Sequence, residues 1–462
     1  MTGTTTEPSA PAPDTSAWGG RHVHDPTAVR DDDGVYWLFS TDARSDGPVR
    51  GGVQVRRSSD LVTWDYHGWA LPGVPAPAAA WSGAEGLWAP EVVHVGPTGG
   101  TGGTWRMYYS ASTFGSRRSA IGLADAPHPG GPWTDRGIVV ASEHVDPPAG
   151  LGHPNAIDAN VVTEPDGTQW LVYGSFFGGI HALPLDAGTG LVAEGLTPAP
   201  GRLHAAPGRL LARRARTADG AVEGAFVLPR PGGGWALLVS YDSLGGSYHL
   251  RSAVGDAVTG PYRDRAGRLM TDVDADPWAV GVPVLSGHRL AGGPGILAPG
   301  HASVLTERVP AAAPDAGAHV RQLLVHHVRD ADAPTEHRLQ LRRLVWTHDG
   351  WPLVSPQPWA GPGREVDDES RWPDDPAVLD GAWERLTPGA DPTHVQDGAV
   401  GPLEARALVR PLGGGRFAWT ASDGAAVAAV VHPAWDAVRD RATVCLETLD
   451  DTGRVTLATR LP

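Results

Sequence analysis

A single cysteine, Cys445, stands in 462 residues, which excludes an internal disulfide. Charge is sparse: 19% of residues carry it, and the 37 Lys and Arg fall short of the 52 Asp and Glu, giving a net charge of −15. That balance, with no basic block, excludes a nucleic-acid surface. No run approaches the roughly 18 to 20 apolar residues that span a bilayer. The start, Met1 to Glu7, has neither the basic residues nor the apolar stretch of a signal peptide. It predicts a cytoplasmic protein, or a secreted one if the chain has been trimmed. Helical periodicity is scarce throughout. Glycine (61) and proline (43) are abundant but dispersed, so they punctuate strands rather than mark a disordered chain.

What is present is a repeated strand. Tyr36 to Ser40, Trp105 to Ser110, Trp170 to Ser175, Trp235 to Ser240 and Leu323 to His327 read as copies of one another, most of them after a Gly-rich or polar turn. The aromatic starts at 37, 105, 170 and 235 step by 68, 65 and 65 residues, and a loop delays the fifth copy. Short aromatic strands at such a period predict an all-β fold, a five-bladed β-propeller over residues 18–361. Residues 1–17, rich in Thr, Ser, Pro and Ala, read as a disordered tail. After Gly361-Pro362-Gly363 the repeat stops. Segments at 382–386, 416–420, 425–431 and 443–447 predict a smaller β-domain, sandwich or barrel-like, over 362–462.

Acids recur with nearly the same period. Asp25, Glu91, Asp158 and Glu223 are 66, 67 and 65 residues apart, each beside an apolar strand. Equivalent points of successive blades share a radius, so periodic acids can converge on one axis. With 52 acids some regular spacing arises by chance, but the shared local context favours function. Cleaving a glycosidic bond needs one protonated carboxyl and one carboxylate in different surroundings. Asp25, between His24 and Pro26, suits a base aimed at water. Glu223 opens the apolar run Ala225-Phe226-Val227, where desolvation would keep it protonated as an acid. Asp158 suits a neighbour whose charge raises the pKa of Glu223.

The 18 tryptophans suit a hydroxyl-rich neutral ligand, although Trp37, Trp105, Trp170 and Trp235 read as core. Trp88, Phe114 and Phe176 flank the acidic segments and are candidates for stacking on sugar rings. Asn155 and Ser175 are candidate hydrogen-bond donors to its hydroxyls, and Glu91 a further substrate contact. Trp383 and Trp419 read as core aromatics of the C-terminal domain rather than sugar binders. His301, in Pro299-Gly300-His301, lies without metal-spaced Cys or His partners, which argues against zinc and leaves a hard, water-bound cation as the better expectation.

At these residues the chain resembles the inverting glycoside hydrolases of family 43, and among them endo-1,5-α-L-arabinanases with a C-terminal β-domain. The segments that carry the resemblance are His24-Asp25-Pro26, Leu87-Trp88-Ala89-Pro90-Glu91, Asn155-Ala156-Ile157-Asp158, Tyr173 to Ile180, Glu223-Gly224, Gly260-Pro261-Tyr262, Pro299-Gly300-His301 and Asp349-Gly350-Trp351-Pro352. The resemblance implies a five-bladed propeller with Asp25 as general base, Asp158 as pKa modulator and Glu223 as general acid. It also implies one calcium ion on the axis, held by His301 and water, and arabinan or arabino-oligosaccharides as substrate. An exo-acting α-L-arabinofuranosidase or β-xylosidase is the alternative on the same fold. A non-catalytic carbohydrate-binding propeller is a third reading, against which the intact trio of acids argues.

Overall fold

A computed structural model describes residues 15, 17–44, 49–96, 103–142, 154–193, 208–309, 319–389 and 393–462. Most of the expected tail therefore lies outside the described residues. Four antiparallel four-stranded sheets are followed by a six-stranded one, whose four long antiparallel strands complete the series. Their innermost strands are Thr27–Arg30, Leu87–Val95, Asn160–Thr163, Val222–Pro229 and Gly295–Val309, and we number the blades I to V accordingly. The innermost strand of blade I contacts those of blades II and V, so the ring is closed.

The repeated aromatic segments are the second strands of the blades. Tyr36–Ser40 and Trp235–Tyr241 are buried at every position, because a blade packs against a neighbour on both faces. Trp37, Trp105 and Trp235 are buried in these inter-blade layers, and Trp170 packs half-buried against one of them. Each of the five gaps between neighbouring blades is filled by its own hydrophobic cluster. Burial of apolar surface at about 25 cal/mol per Å² makes these layers the main source of stability.

Closure uses a short N-terminal segment rather than a full strand. His22 N donates to His337 O at 2.8 Å and Leu339 N to Gly20 O at 2.8 Å, hooking the start of the chain onto the third strand of blade V. The guanidinium of Arg56, fully buried, holds the same segment to blade I through the carbonyls of Gly19 and Arg21.

Beyond blade V a seven-stranded antiparallel sheet is built from residues 383–460. Its two edge strands, Ala399–Gly401 and Arg406–Gly413, are consecutive in the chain and separated by only residues 402–405. The sheet therefore curls toward a barrel around Leu379, Trp383, Phe417, Val431 and Leu446. Trp383 is fully buried and Trp419 packs half-buried against this core, as expected of packing aromatics. The outer face of the sheet joins a second core: Val430, Leu449, Val455 and Leu457 pack with Leu285, Leu353 and Val354 of blades IV and V. A parallel bridge from His288–Arg289 to Gln396–Asp397 adds a backbone link.

Candidate active site

Each innermost strand turns into the ring through one residue in the left-handed region. These are Asp25 (φ 47), Ala89 (φ 38), Asp158 (φ 60), Gly224 (φ 56) and His301 (φ 46). A side chain there is sterically costly, and four of the five positions carry one. At the fifth, glycine is required, because a Cβ on Gly224 would come within 2.9 Å of the His301 ring.

The strain is held by side chains at the ends of the repeated second strands, each reaching into the next blade. Thr41 Oγ1 accepts from Ala89 N at 2.8 Å, Ser110 Oγ from Asp158 N at 3.0 Å, and Ser240 Oγ from His301 N at 2.8 Å. His327 Nδ1 accepts from Asp25 N at 3.2 Å. In blade III, Ser175 Oγ instead donates to Glu223 Oε2 at 2.9 Å. A circle of polar contacts thus fixes the mouth residues of all five blades.

Asp25 is buried among imidazoles. Its Oδ1 lies 2.8 Å from His24 Nδ1, 3.0 Å from His301 Nδ1 and 3.5 Å from His327 Nδ1, and Oδ2 accepts from Thr41 at 2.6 Å. Burial alone would push its pKa up, but the charges of His24 and His301 outweigh that and hold it well below the usual range. The same carboxylates act on His301. Burial lowers its pKa, while Asp25, Asp158 and Glu223 together push it up to about 10.

Asp158 behaves in the opposite way. Burial first, and then the negative charges of Glu223 and Asp25, push its pKa up to about 7 against the pull of His301. Its Oδ2 accepts from Gly224 N at 3.3 Å, next to Glu223. Glu223 itself is half-buried and sits one residue before the left-handed position of its blade. Asp25, Asp158, Glu223 and His301 therefore converge from four blades.

The other expected residues divide. Phe114 is 95% exposed, and Trp88 and Phe176 are half-buried, so all three keep surface for a ligand. Trp88 precedes the left-handed residue of blade II as Glu223 does in blade IV, and Phe176 N donates to Val222 O beside the acid. Ser175 is committed to Glu223. Asn155 is buried and its amide oxygen faces Ser142 Oγ at 3.5 Å, part of the wall. Glu91 lies deeper on the axis: Oε2 accepts from Thr27 and Oε1 from Asn160 at 2.9 Å. Burial pushes its pKa up to about 7.

Beneath the carboxylates a cavity of about 20 Å³ is lined by Asp25, Thr27, Glu91, Asp158, His301 and Ser303. That is room for about one water or ion. The oxygen-rich lining suits a hard cation. Among the described residues His24, Asp25 and His327 bring donor atoms within 4.8 Å of one another. His24, Thr41, Ser110, Ser240 and His327 went unrecognised as site residues. A signal existed, since Ser110, Ser175 and Ser240 end successive copies of the repeated strand.

Converging carboxyls in contrasting surroundings, at the mouth of a propeller, define a catalyst of glycosidic bond cleavage. Residues 20–352 match the description of Glycosyl hydrolases family 43, and the chain belongs to that family. It is 29% identical over 373 residues to an extracellular endo-α-(1→5)-L-arabinanase of Thermotoga petrophila, covering 73% of this chain and 71% of that one. It is 31% identical over 357 residues to arabinan endo-1,5-α-L-arabinosidase C of Emericella nidulans, covering 73% and 92%. The solved Thermotoga petrophila endo-1,5-α-L-arabinanase in complex with TRIS superposes with a TM-score of 0.76 at 23% identity, over 97% of this chain and 100% of that one. That likeness extends the shared fold through the C-terminal sheet. The expectation of a cytoplasmic enzyme gains no support from these relatives; among the described residues no helix is long and apolar enough to cross a membrane.

Proposed function

We propose that this glycoside hydrolase cleaves α-1,5-L-arabinofuranosidic bonds of arabinan or arabino-oligosaccharides with inversion at the anomeric carbon. The observation that carries the reading is the opposed electrostatics of Asp25 and Asp158 around Glu223. Asp25, held ionised by His24 and His301, draws a proton from the attacking water as the anomeric carbon becomes electron-poor. Glu223 protonates the departing oxygen. Asp158, whose Oδ2 accepts from Gly224 N next to the acid, holds the turn that carries Glu223. Ser175 fixes the direction of the Glu223 carboxyl. The arabinan substrate follows from the relatives' activities, and Trp88, Phe114 and Phe176 supply faces against which furanose rings can stack.

A calcium ion on the axis fits the oxygen lining of the cavity below the carboxylates, with His301 and water as its surroundings. When bound, such an ion supplies positive charge that keeps the buried acids apart in energy. The experiment for the whole reading is hydrolysis of linear arabinan followed by NMR during the first turnovers. Internal cleavage giving the inverted anomer is expected. Retained configuration overturns the mechanism, and activity confined to aryl arabinofuranosides or xylosides overturns the substrate.

A further inference from the structure

The outer face of the C-terminal sheet holds a buried polar group that the hydrolytic site does not use. His432 lies in the strand Ala426–Asp436 and pairs directly with Cys445 in the strand Arg441–Asp450. Glu447, two residues further along the same strand, projects from the same face. All three are 0% exposed. One donor atom from each, imidazole nitrogen, thiol sulfur and carboxylate oxygen, lies within 4.8 Å of the other two.

The hydrogen bonds around this group place a cation between His432 and Glu447. His432 Nδ1 is 3.0 Å from Pro433 O, and a carbonyl only accepts, so Nδ1 carries a proton. Nε2 therefore turns its remaining position toward Glu447 Oε1, at 3.1 Å. A lone pair and a carboxylate oxygen repel unless a cation, either a proton or a metal, stands between them. The second carboxylate oxygen, Glu447 Oε2, is buried with no hydrogen-bond partner. An orphaned carboxylate oxygen in such surroundings costs several kcal/mol unless something compensates it. The sulfur of Cys445 lies 4.0 Å from Thr459 Oγ1 and also interacts with the Ser355 hydroxyl.

We propose that His432, Cys445 and Glu447 bind one zinc ion between the C-terminal sheet and the propeller. Imidazole, thiolate and carboxylate are the donor types zinc takes, at about 2.0 to 2.3 Å, which sets neighbouring donors about 3 to 4 Å apart. Glu447 chelates through both oxygens, which fills the fourth position and satisfies Oε2. The carbonyl of Pro433 fixes the tautomer that presents Nε2, the usual second support of a metal-bound histidine. Charges balance: binding displaces the thiol proton of Cys445 and the proton between His432 and Glu447, and Zn²⁺ neutralises the thiolate and the carboxylate. The place has a consequence for architecture. Thr459, cross-strand from Cys445, accepts from Gln357 Nε2 at 3.0 Å, and Trp372 lies with its ring 5.5 Å from that of His432. The ion would therefore clip the strands that the C-terminal sheet presses against blade V.

Cobalt tests this without interference from the propeller. Cys445 is the chain's single cysteine, so a thiolate-to-cobalt charge-transfer band can come from nowhere else. The untagged full chain is unfolded with chelator, refolded with Co²⁺, and its spectrum followed while Zn²⁺ is added. Expected are one equivalent of thiolate-bound cobalt, its bleaching by one equivalent of Zn²⁺, and a melting temperature several degrees above that of protein refolded without metal. Cys445→Ser should lose the band while keeping arabinan hydrolysis. Wild-type protein that refolds to full activity in Co²⁺ with no such band, and melts at the same temperature with or without Zn²⁺, overturns the proposal and leaves a His432–Glu447 ion pair. Should Cys445→Ser fail to fold, the wild-type spectrum and its bleaching by zinc decide alone.

Discussion

The backbone N–H of Asp25 in blade I donates to Nδ1 of His327 in blade V, at 3.2 Å across the seam of the ring. Asp25 is thereby fixed by the last blade as well as by its own. The Oδ1 that this histidine approaches is the oxygen shared by His24 and His301. The reactivity of Asp25 is thus tied to ring closure.

Replacing the base or the acid should stop the chemistry without dissolving the fold. Asp25→Asn and Glu223→Gln keep shape and remove proton transfer, and each should lower kcat on arabinan by about 10² to 10⁴-fold. Circular dichroism and melting curves close to wild type would assign the loss to catalysis. Wild-type turnover in either variant would remove that residue from its role.

Asp158→Asn should lower the rate and change the kcat/KM profile near neutrality. The variant removes a buried carboxyl that titrates there, hydrogen-bonded to Gly224 N beside the acid. Because Asp158 has its pKa raised to about 7, its influence grows as pH increases through neutrality. A pH–rate profile in both proteins is the measurement; identical limbs and rates would make Asp158 a bystander.

Glu91→Gln should stabilise the enzyme most at alkaline pH. Folding raises this carboxyl from 4.5 to about 7, so between those values the folded chain binds the proton that the unfolded chain has released. Stability then falls as pH rises through that window, by up to about 3 kcal/mol. Glutamine keeps an acceptor for Asn160, offers a donor to Thr27, and cannot ionise. Melting temperatures at pH 5 and pH 8 should differ less in the variant than in the wild type.

Phe114→Ala should leave stability unchanged, within about 0.5 kcal/mol, because the ring is 95% exposed. It should raise KM for arabino-oligosaccharides several-fold while sparing a short aryl arabinofuranoside. Equal effects on both substrates would place Phe114 outside the longer binding cleft.

Calcium removal gives a separate reading of the axis. Chelation should lower both the activity and the melting temperature, and calcium alone should restore them. Indifference to both treatments would make His301 only a partner of Asp25.

Much of this was legible in the sequence because the second strands are buried on both faces and begin with an aromatic side chain. That keeps their pattern intact from Tyr36 to Trp235. The converging acids stand out by their period, and Glu91 shows where counting acids goes astray. The true counterpart of Asp25 in blade II is Ala89, so the intervals between left-handed residues 25, 89 and 158 are 64 and 69. The acids at 25, 91 and 158 step by a more even 66 and 67, although Glu91 points two residues deeper into the axis. Backbone handedness, which fixes the position, leaves no mark in a list of residue types when the residue is alanine. The contacts from Thr41, Ser110, Ser240 and His327 were hidden for a related reason. Each acts on the next blade, and nothing local to its own strand says so.

The core shared by blades IV and V and the curled sheet bears on how such proteins can be shortened. Leu285, Leu353 and Val354 pack with Val430, Leu449 and Leu457 in one buried core. A relative that ends with its propeller must wet that flank, and so must carry polar residues where these aliphatics stand. A fragment of this chain cut after Pro358 would keep all four residues around the reaction centre and still present a sticky wall to its neighbours. The C-terminal sheet is thus a cover for that flank of the ring, and chimaeras of long and short members should stay soluble only when blade V and its cover are exchanged together.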